Sequence, residues 1–166
     1  MTMDDTEFER FFRSEYAGLV AFGAAVCGDR DVAQSLAQET LIRAYERWDD
    51  VQRHDVPVAW LRRVMHNLVV DHLRRAGAER RAVDRLATRT PGTADAAPSP
   101  VGVDHWFALV EPLTPDQRAA ATLFYAEDLP VAEIAATLGI SAGTVKSTLS
   151  KARRRMRHAI EQEASR

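Results

Sequence analysis

Six cations, Lys146, Lys151, Arg153, Arg154, Arg155 and Arg157, fall between Ser141 and His158 with no acid among them. Just before, the stretch from His105 to Ile140 carries Glu111, Asp116, Glu127, Asp128 and Glu133 against Arg118 alone. The whole chain has a net charge of -2, so this segregation places a local positive potential on one element of an otherwise acidic protein, as contact with a polyanion requires. Bond-making chemistry finds no comparable support. No nucleophile stands at a working spacing from a base, and there is no glycine-rich phosphate loop. The single cysteine, Cys27, excludes an intramolecular disulfide and a zinc site built on paired cysteines. It lies in the apolar run Phe22-Gly-Ala-Ala-Val-Cys27 and reads as a small buried hydrophobe. His54, His66, His72, His105 and His158 show no ligand spacing. No metal, no cofactor and no catalytic residue is therefore expected, and the chain is read as not an enzyme.

The cations sit on an identifiable element. Pro130-Val-Ala-Glu-Ile-Ala-Ala-Thr-Leu-Gly-Ile-Ser-Ala-Gly-Thr-Val-Lys146 has the pattern of a helix-turn-helix. Ile134 and Leu138 face inward, Ala135 is small enough for close helix approach, Gly139 makes the turn, and Ile140 and Val145 seal the second helix. That helix, capped by Ser141, buries Val145, Leu149, Ala152, Met156 and Ile160. Gly143, Thr144, Lys146, Ser147, Thr148, Ser150 and Lys151 then face outward along its N-terminal half, where a recognition helix meets base edges and phosphates. Arg153, Arg154 and Arg155, with Arg157, are placed for backbone contacts that add affinity without sequence information.

The elements that carry this unit are all helical. Thr6-Glu-Phe-Glu9 is a capping box opening a first helix through Phe8, Phe11, Phe12, Leu19, Val20 and Phe22, with Gly28 as its stop. Asp29 caps a second, whose stripe is Val32, Leu36, Thr40, Leu41, Ala44, Tyr45 and Trp48. After a loop to Pro57, a third helix spans residues 58–76, with Leu61, Val64, Met65, Leu68, Val69 and Leu73 inward. Residues 88–103 hold three prolines, two glycines and almost no bulky apolar side chain, the composition of a linker. Beyond it come a short helix with Trp106 and Phe107, and the capping box Thr114-Pro-Asp-Gln117 opening a helix to Ala126. No segment alternates with period two. The fold class is all-α: two small helical domains, an N-terminal bundle over residues 1–77 and a C-terminal helix-turn-helix over 105–166, joined by a flexible linker over 78–104. No apolar run approaches the ~20 residues of a membrane span, and the acidic N-terminus is unlike a secretory leader, so no membrane insertion and a cytoplasmic location are expected.

A helix-turn-helix alone also suits a stand-alone transcription regulator, or the regulatory tail of an enzyme. The N-terminal half separates these readings. Asp31-Val-Ala-Gln-Ser-Leu-Ala-Gln-Glu-Thr-Leu-Ile-Arg-Ala-Tyr45, then Trp60-Leu-Arg-Arg-Val-Met-His-Asn-Leu-Val-Val-Asp-His-Leu-Arg-Arg75, then the helix-turn-helix with Gly143-Thr-Val-Lys-Ser147, resemble the extracytoplasmic-function sigma factors in order and spacing. The resemblance implies a transcription initiation factor with core RNA polymerase and promoter DNA as partners, and an anti-sigma factor as a usual third. It implies a polymerase-binding surface at Gln38, Glu39, Leu41, Ile42, Arg43 and Tyr45. It places a reader of the melted -10 element at Asp50, Val51, Gln52, Arg53 and His54, with Arg63 and Asn67 at the pocket floor and Arg74 and Arg75 nearby. It assigns the duplex -35 element to Gly143, Thr144, Lys146, Ser147, Thr148 and Lys151. Trp48, Trp60 and Arg62 add stacking and cationic groups of the kind that hold single strands. The chain departs from the family in an Asp-rich loop with no aromatic between Val51 and Val58. Asp71 is spaced to orient Arg74 or Arg75.

Duplex binding by the C-terminal module, residues 105–166, is expected to weaken with salt, the log-log slope reaching at most about -5 for six clustered cations. Anisotropy titrations across a salt series measure it, and a flat response removes this surface.

Overall fold

A computed structural model describes residues 3–84 and 103–164. The helices are α1 (Met3–Cys27), α2 (Arg30–Glu46), α3 (Trp48–Val51), α4 (Pro57–Asp84), α5 (Val103–Val110), α6 (Pro115–Ala121), α7 (Val131–Leu138) and α8 (Ala142–Ala164), and the described residues contain no strand. Helices α1, α2 and α4 pack mutually into a bundle, and α6, α7 and α8 form the helix-turn-helix unit with α5 against α8.

Local chemistry sets most of the boundaries. Asp29 caps α2 by accepting from the Val32 amide at 3.0 Å. The Thr114 box closes reciprocally, Gln117 N to Thr114 Oγ1 at 3.4 Å and Thr114 N to Gln117 Oε1 at 3.2 Å. Two expectations move. Helix α1 begins at Met3, so Thr6 lies inside it and the Thr6 box is not its start. Helix α4 runs past Ala76 to Asp84, because Ala78-Glu-Arg-Arg-Ala82 are strong helix formers and outweigh the ~1 kcal/mol cost of Gly77. The linker expected over 78–104 is therefore helical at its start, Val103 and Asp104 already belong to α5, and its remainder, 85–102, lies outside the described residues.

The helix expected to reach Ala126 changes pitch on the way. Beyond Ala121 the chain forms a π-helical turn, Thr122–Ala126, with Glu127 N bonded to Thr122 O at 3.1 Å and Leu129 N to Leu123 O at 2.9 Å. Asp128 closes this segment at φ 54°, a left-handed conformation rare for a side chain larger than glycine.

Packing joins the halves. A single apolar cluster takes Leu19, Phe22 and Val26 from α1, Leu41 from α2, and Leu61, Met65 and Val69 from α4. It continues through Ala119, Ala120, Leu123, Ile134, Val145 and Leu149 of the helix-turn-helix unit. Each half was expected to bury its own apolar set; instead α1 and α4 bury a further face against α6 and α7. A smaller cluster, Val110, Leu113, Ala121 and Ala152, packs with Trp106 and Met156 beneath α5. The stripe of α8 is covered only as far as Met156, and Ile160, expected to continue it, is 51% exposed. No helix among the described residues is long and apolar enough to cross a membrane.

The tightest crossing is at Gly23, where a Cβ would lie 1.9 Å from Met65 Cε and 3.3 Å from Ala33 Cβ. Met65 Cε is the flexible end of a fully buried side chain, so Gly23→Ala forces it to repack within the core; the repacking is expected to outweigh the gain in helix propensity only slightly, lowering stability by under about 1 kcal/mol. The urea midpoint measures it, and an unchanged or raised midpoint would mean that the crossing is looser than described.

Candidate nucleic-acid interface

The recognition helix is built by burying one side of α8 and leaving the other bare. Val145, Leu149 and Ala152 are buried, while Gly143, Thr144, Lys146, Ser147 and Lys151 are exposed and Thr148 is half-buried. Gly139, at φ 69°, turns the chain between α7 and α8 in a conformation that suits glycine. Ser141 caps α8, its Oγ accepting from Thr144 N at 3.0 Å and lying 2.8 Å from Thr144 Oγ1. The Ser147 hydroxyl donates to Thr144 O at 3.0 Å. Both hydroxyls are thus satisfied by the helix itself, and the ammonium groups of Lys146 and Lys151 are the groups with reach. Farther along, Arg154 is exposed, Arg153 Nε donates to Leu149 O at 3.4 Å, and Arg155 Nη1 donates to Gln117 Oε1 at 3.1 Å, tying α8 to the cap of α6.

The second surface lies on α2. Gln38, Glu39 and Arg43 are exposed, Arg43 pairing with Glu39 at 2.6 Å. Ile42 and Tyr45 beside them are 59% and 54% exposed, Tyr45 also meeting the Phe8 ring at a centroid distance of 5.0 Å, and together they put apolar surface on this face. Leu41, grouped with them from the sequence, is instead in the core at 1% exposure. Its neighbours in the stripe, Ala37 and Ala44, are buried with it, and the outward face begins one residue on.

The third surface is α3 and the turn that follows it, before α4; the loop expected there is thus helical at its start, at Asp50 and Val51. Asp50, Gln52, Arg53 and His54 are exposed, with Asp50 and Arg53 paired at 2.9 Å, whereas Val51 is buried. Trp48 is not available to stack on bases: it is 7% exposed, wedged against Phe8 and Phe11 at centroid distances of 5.3 and 5.1 Å. Trp60 is half-buried against the main core. On α4, Asn67, Arg74 and Arg75 are exposed, and Asp71 holds Arg74 at 2.9 Å as its spacing predicts. Arg63, expected at the pocket floor, is engaged elsewhere. Its Nε donates to Thr137 O at 3.1 Å and its Nη2 to Ala136 O at 2.5 Å, at the carboxyl end of α7.

The sequence matches Sigma-70 region 2 over residues 11–79 and Sigma-70 region 4 over residues 108–156. It is 34% identical over 157 residues to the RNA polymerase sigma-E factor of Streptomyces avermitilis, covering 93% of this chain and 86% of that one. To the ECF RNA polymerase sigma factor EcfG of Rhodopseudomonas palustris it is 30% identical over 138 residues, covering 83% and 76%. The chain belongs to the ECF sigma factors of RNA polymerase. As a sigma factor it directs promoter-specific transcription initiation, with core polymerase and promoter DNA as partners. Its fold is shared with the sigma factor RpoE of Bartonella quintana, solved in complex with the anti-sigma factor NepR, at a TM-score of 0.74 and 28% identity over 93% of this chain and 97% of that one.

The sigma factor also holds polar groups that the sequence reading did not place. Arg62, counted among strand-binding cations, is 6% exposed and bonds Glu127 through Nε at 2.9 and 3.1 Å. Its guanidinium lies 5.7 Å from the Phe22 ring centroid. A signal for this was present: Arg62 stands three residues before Met65 and seven before Val69, on the inward stripe of α4, where a cation needs a buried partner. Arg118 donates to Val110 O and Leu113 O, both at 3.1 Å, and across the halves to Val26 O at 3.2 Å. The Cys27 thiol donates to Asp29 O at 3.1 Å, and burial pushes its pKa up, away from reactivity. Among the described residues no group of His, Cys, Asp and Glu is arranged to hold a metal.

His66 is the titratable group at this junction. Its Nε2 lies 3.3 Å from Asp116 Oδ1, within ion-pair range but without hydrogen-bond geometry. Burial therefore dominates and holds the imidazole below its ordinary value despite the opposing pull of Asp116. A histidine depressed in the folded state takes up its proton first in the unfolded chain. Stability is thus expected to fall as pH drops through about 6.5, by at most about 1.4 kcal/mol per pH unit for one proton. The loss should be smaller in His66→Gln; urea midpoints at several pH values compare the two, and equal slopes would remove His66 from the account.

Proposed function

We propose that this sigma factor divides its work among the three surfaces. The α2 face (Gln38, Glu39, Ile42, Arg43, Tyr45) docks on core polymerase. The α8 face reads the upstream -35 duplex, Lys146 and Lys151 reaching bases or phosphates and Arg154 adding backbone contacts. The end of α3 and the turn after it (Asp50, Gln52, Arg53, His54), with Asn67 and the cations Arg74 and Arg75, receive an unpaired base of the -10 element. The exposed Asp50–Arg53 pair is of a kind worth at most about 1 kcal/mol, so an arriving strand can separate it. Extruding a base costs a few kcal/mol, to be met by pocket contacts and by polymerase. Leu41 and Val51 act through packing and Trp48 through the aromatic cluster, and none of them contacts a partner in this scheme.

The observation that carries this reading is the acid-free cationic face of α8 on a helix-turn-helix, in a chain whose other half exposes Ile42 and Tyr45 on a separate helix. The scheme needs no catalytic group: the chain works by binding and not as an enzyme, in the cytoplasm, where core polymerase is. An anti-sigma factor is a further proposed partner, in line with the Bartonella quintana relative captured with NepR.

Transcription of the host's total DNA by purified core polymerase, with and without this protein, followed by 5′-end sequencing, tests the reading. A set of new start sites sharing two upstream elements is expected, and no new start site would defeat it. At those sites Asn67→Ala is expected to keep polymerase affinity but lower open-complex formation about tenfold, measured by permanganate reactivity of unpaired thymines. Unaltered melting would take Asn67 out of the pocket.

A further inference from the structure

We propose that Arg155 is a positioning residue of the upstream reader: it stays off the DNA and, through the buried Gln117, locks α8 to the capped start of α6, setting the angle at which Lys146 and Lys151 enter the groove. The inference rests on the reading that the α8 face serves the -35 element. By residue type Arg155 belongs with Lys146, Lys151 and Arg154 as one more cation for phosphates; its place on the helix separates it from them. Helix α8 buries Val145, Leu149 and Ala152, and at about 3.6 residues per turn the exposed row opposite that stripe is Gly143, Ser147 and Arg154. Arg155 falls instead on the flank of the stripe, in line with the half-buried Thr148 seven residues earlier. From there its Nη1 donates to Gln117 Oε1 at 3.1 Å.

Three features make this contact a lock. The first is a fixed anchor. Gln117 is 7% exposed, and the same Oε1 accepts from Thr114 N at 3.2 Å while Gln117 N donates to Thr114 Oγ1. The turn ahead of α6 is pinned as well, by Arg118 donating to Val110 O, Glu111 O and Leu113 O. The second is that little else keys the rear of α8 to α6. Val145 and Leu149 seat the front of α8 in the main core, but behind them α6 offers Ala119-Ala-Ala121, and Ala121 meets Ala152 in the cluster beneath α5. Methyl groups let two helices come close yet raise no ridge that stops one turning or sliding on the other. The third is leverage: Lys151 and Lys146 lie four and nine residues before Arg155, about 6 and 13 Å along a straight helix, so a rotation where α8 meets α6 is carried to both lysines. Arg155 itself remains exposed, so its charge keeps its water while one N–H is drawn to Gln117.

Holoenzyme reconstituted from the full-length chain and core polymerase tests this on two promoter duplexes, one taken from the start sites found with total DNA and one with its upstream element scrambled. The parent is expected to prefer the intact promoter. Arg155→Ala is expected to lower that preference about tenfold, the scale of one good base contact, while affinity for the scrambled duplex and the salt slope stay at parental values. A phosphate contact behaves in the opposite way: its loss weakens both duplexes alike and flattens the salt slope by about 1. That result, or an unchanged preference, overturns the proposal. Gln117→Ala, which changes no charge, is expected to lower the preference as Arg155→Ala does, and the double variant no further than either alone. Gln117→Glu, still an acceptor for Thr114 N and Arg155, is expected to keep it. Additive losses from the two alanine variants, no loss in Gln117→Ala, or a loss in Gln117→Glu overturns the lock. Should Gln117→Ala lose helicity, the salt series of Arg155→Ala decides by the same criteria. Absence of start sites, or a parent without preference for the intact promoter, defeats the functional reading; a parent that discriminates while Arg155→Ala matches it leaves that reading standing and removes Arg155 alone.

Discussion

A guanidinium that leaves water needs a counterion, and Arg62 finds its own in the other half of the chain. Moving an ion into a protein interior costs several kcal/mol even after relaxation, so the Arg62 position on the inward stripe of α4 is tenable in the closed state only with Glu127 at hand. Glu127 meets it from an irregular stretch: past Ala121 the helix continues as a π-helical turn, Thr122–Ala126, and Asp128 follows at φ 54°. Arg63, Arg118 and His66 also reach across to the other half, at the end of α7, at Val26 and at Asp116, so polar contacts are spread along the junction.

Much of this was legible in the sequence because it depends on near neighbours. Asp29 and Thr114 cap helices through atoms three residues away, Gly139 makes its turn from its own φ, and the stripe Val145, Leu149 and Ala152 follows from helical spacing. The Asp71–Arg74 pair is of the same kind. What stayed hidden depends on partners far along the chain. Arg62 and Glu127 are 65 residues apart, and Arg63 and Thr137 are 74 apart; no periodicity reports such a pairing. The same limit governs Leu41, Val51 and Trp48. Helical spacing cannot separate the wall of a bundle from a docking face one residue away, and only packing sent Leu41 inward and Ile42 outward.

The DNA-facing side of α8 illustrates how little of a cationic helix is free to read. Thr144 and Ser147 use their hydroxyls on the helix itself, and Arg153 and Arg155 bond Leu149 O and Gln117. The buried stripe fixes which way the rest point, so Lys146 and Lys151 are displayed by the packing of Val145, Leu149 and Ala152 underneath. A lysine is a compact point charge on a flexible stem, and a pair of them gives attraction to phosphate more readily than discrimination between bases. Sequence preference on this face therefore depends on how rigidly α8 is seated, which returns to the core it shares with α4.

Two kinds of contact make up that seam. Apolar contacts such as Ile134 and Leu123 against α1 and α4 lose their stabilisation when exposed, about 25 cal/mol for each Å² returned to water. A seam made only of them would be a permanent joint. An ion pair behaves differently: when the halves part, Arg62 and Glu127 regain hydration that offsets most of their lost attraction, so the pair adds orientation to the closed state while contributing little to its depth. The bonds from Arg63 to the end of α7 follow the same logic, because carbonyls at a helix end are readily solvated once exposed. Along this seam the apolar core gives cohesion, and the arginines fix the orientation of one half on the other.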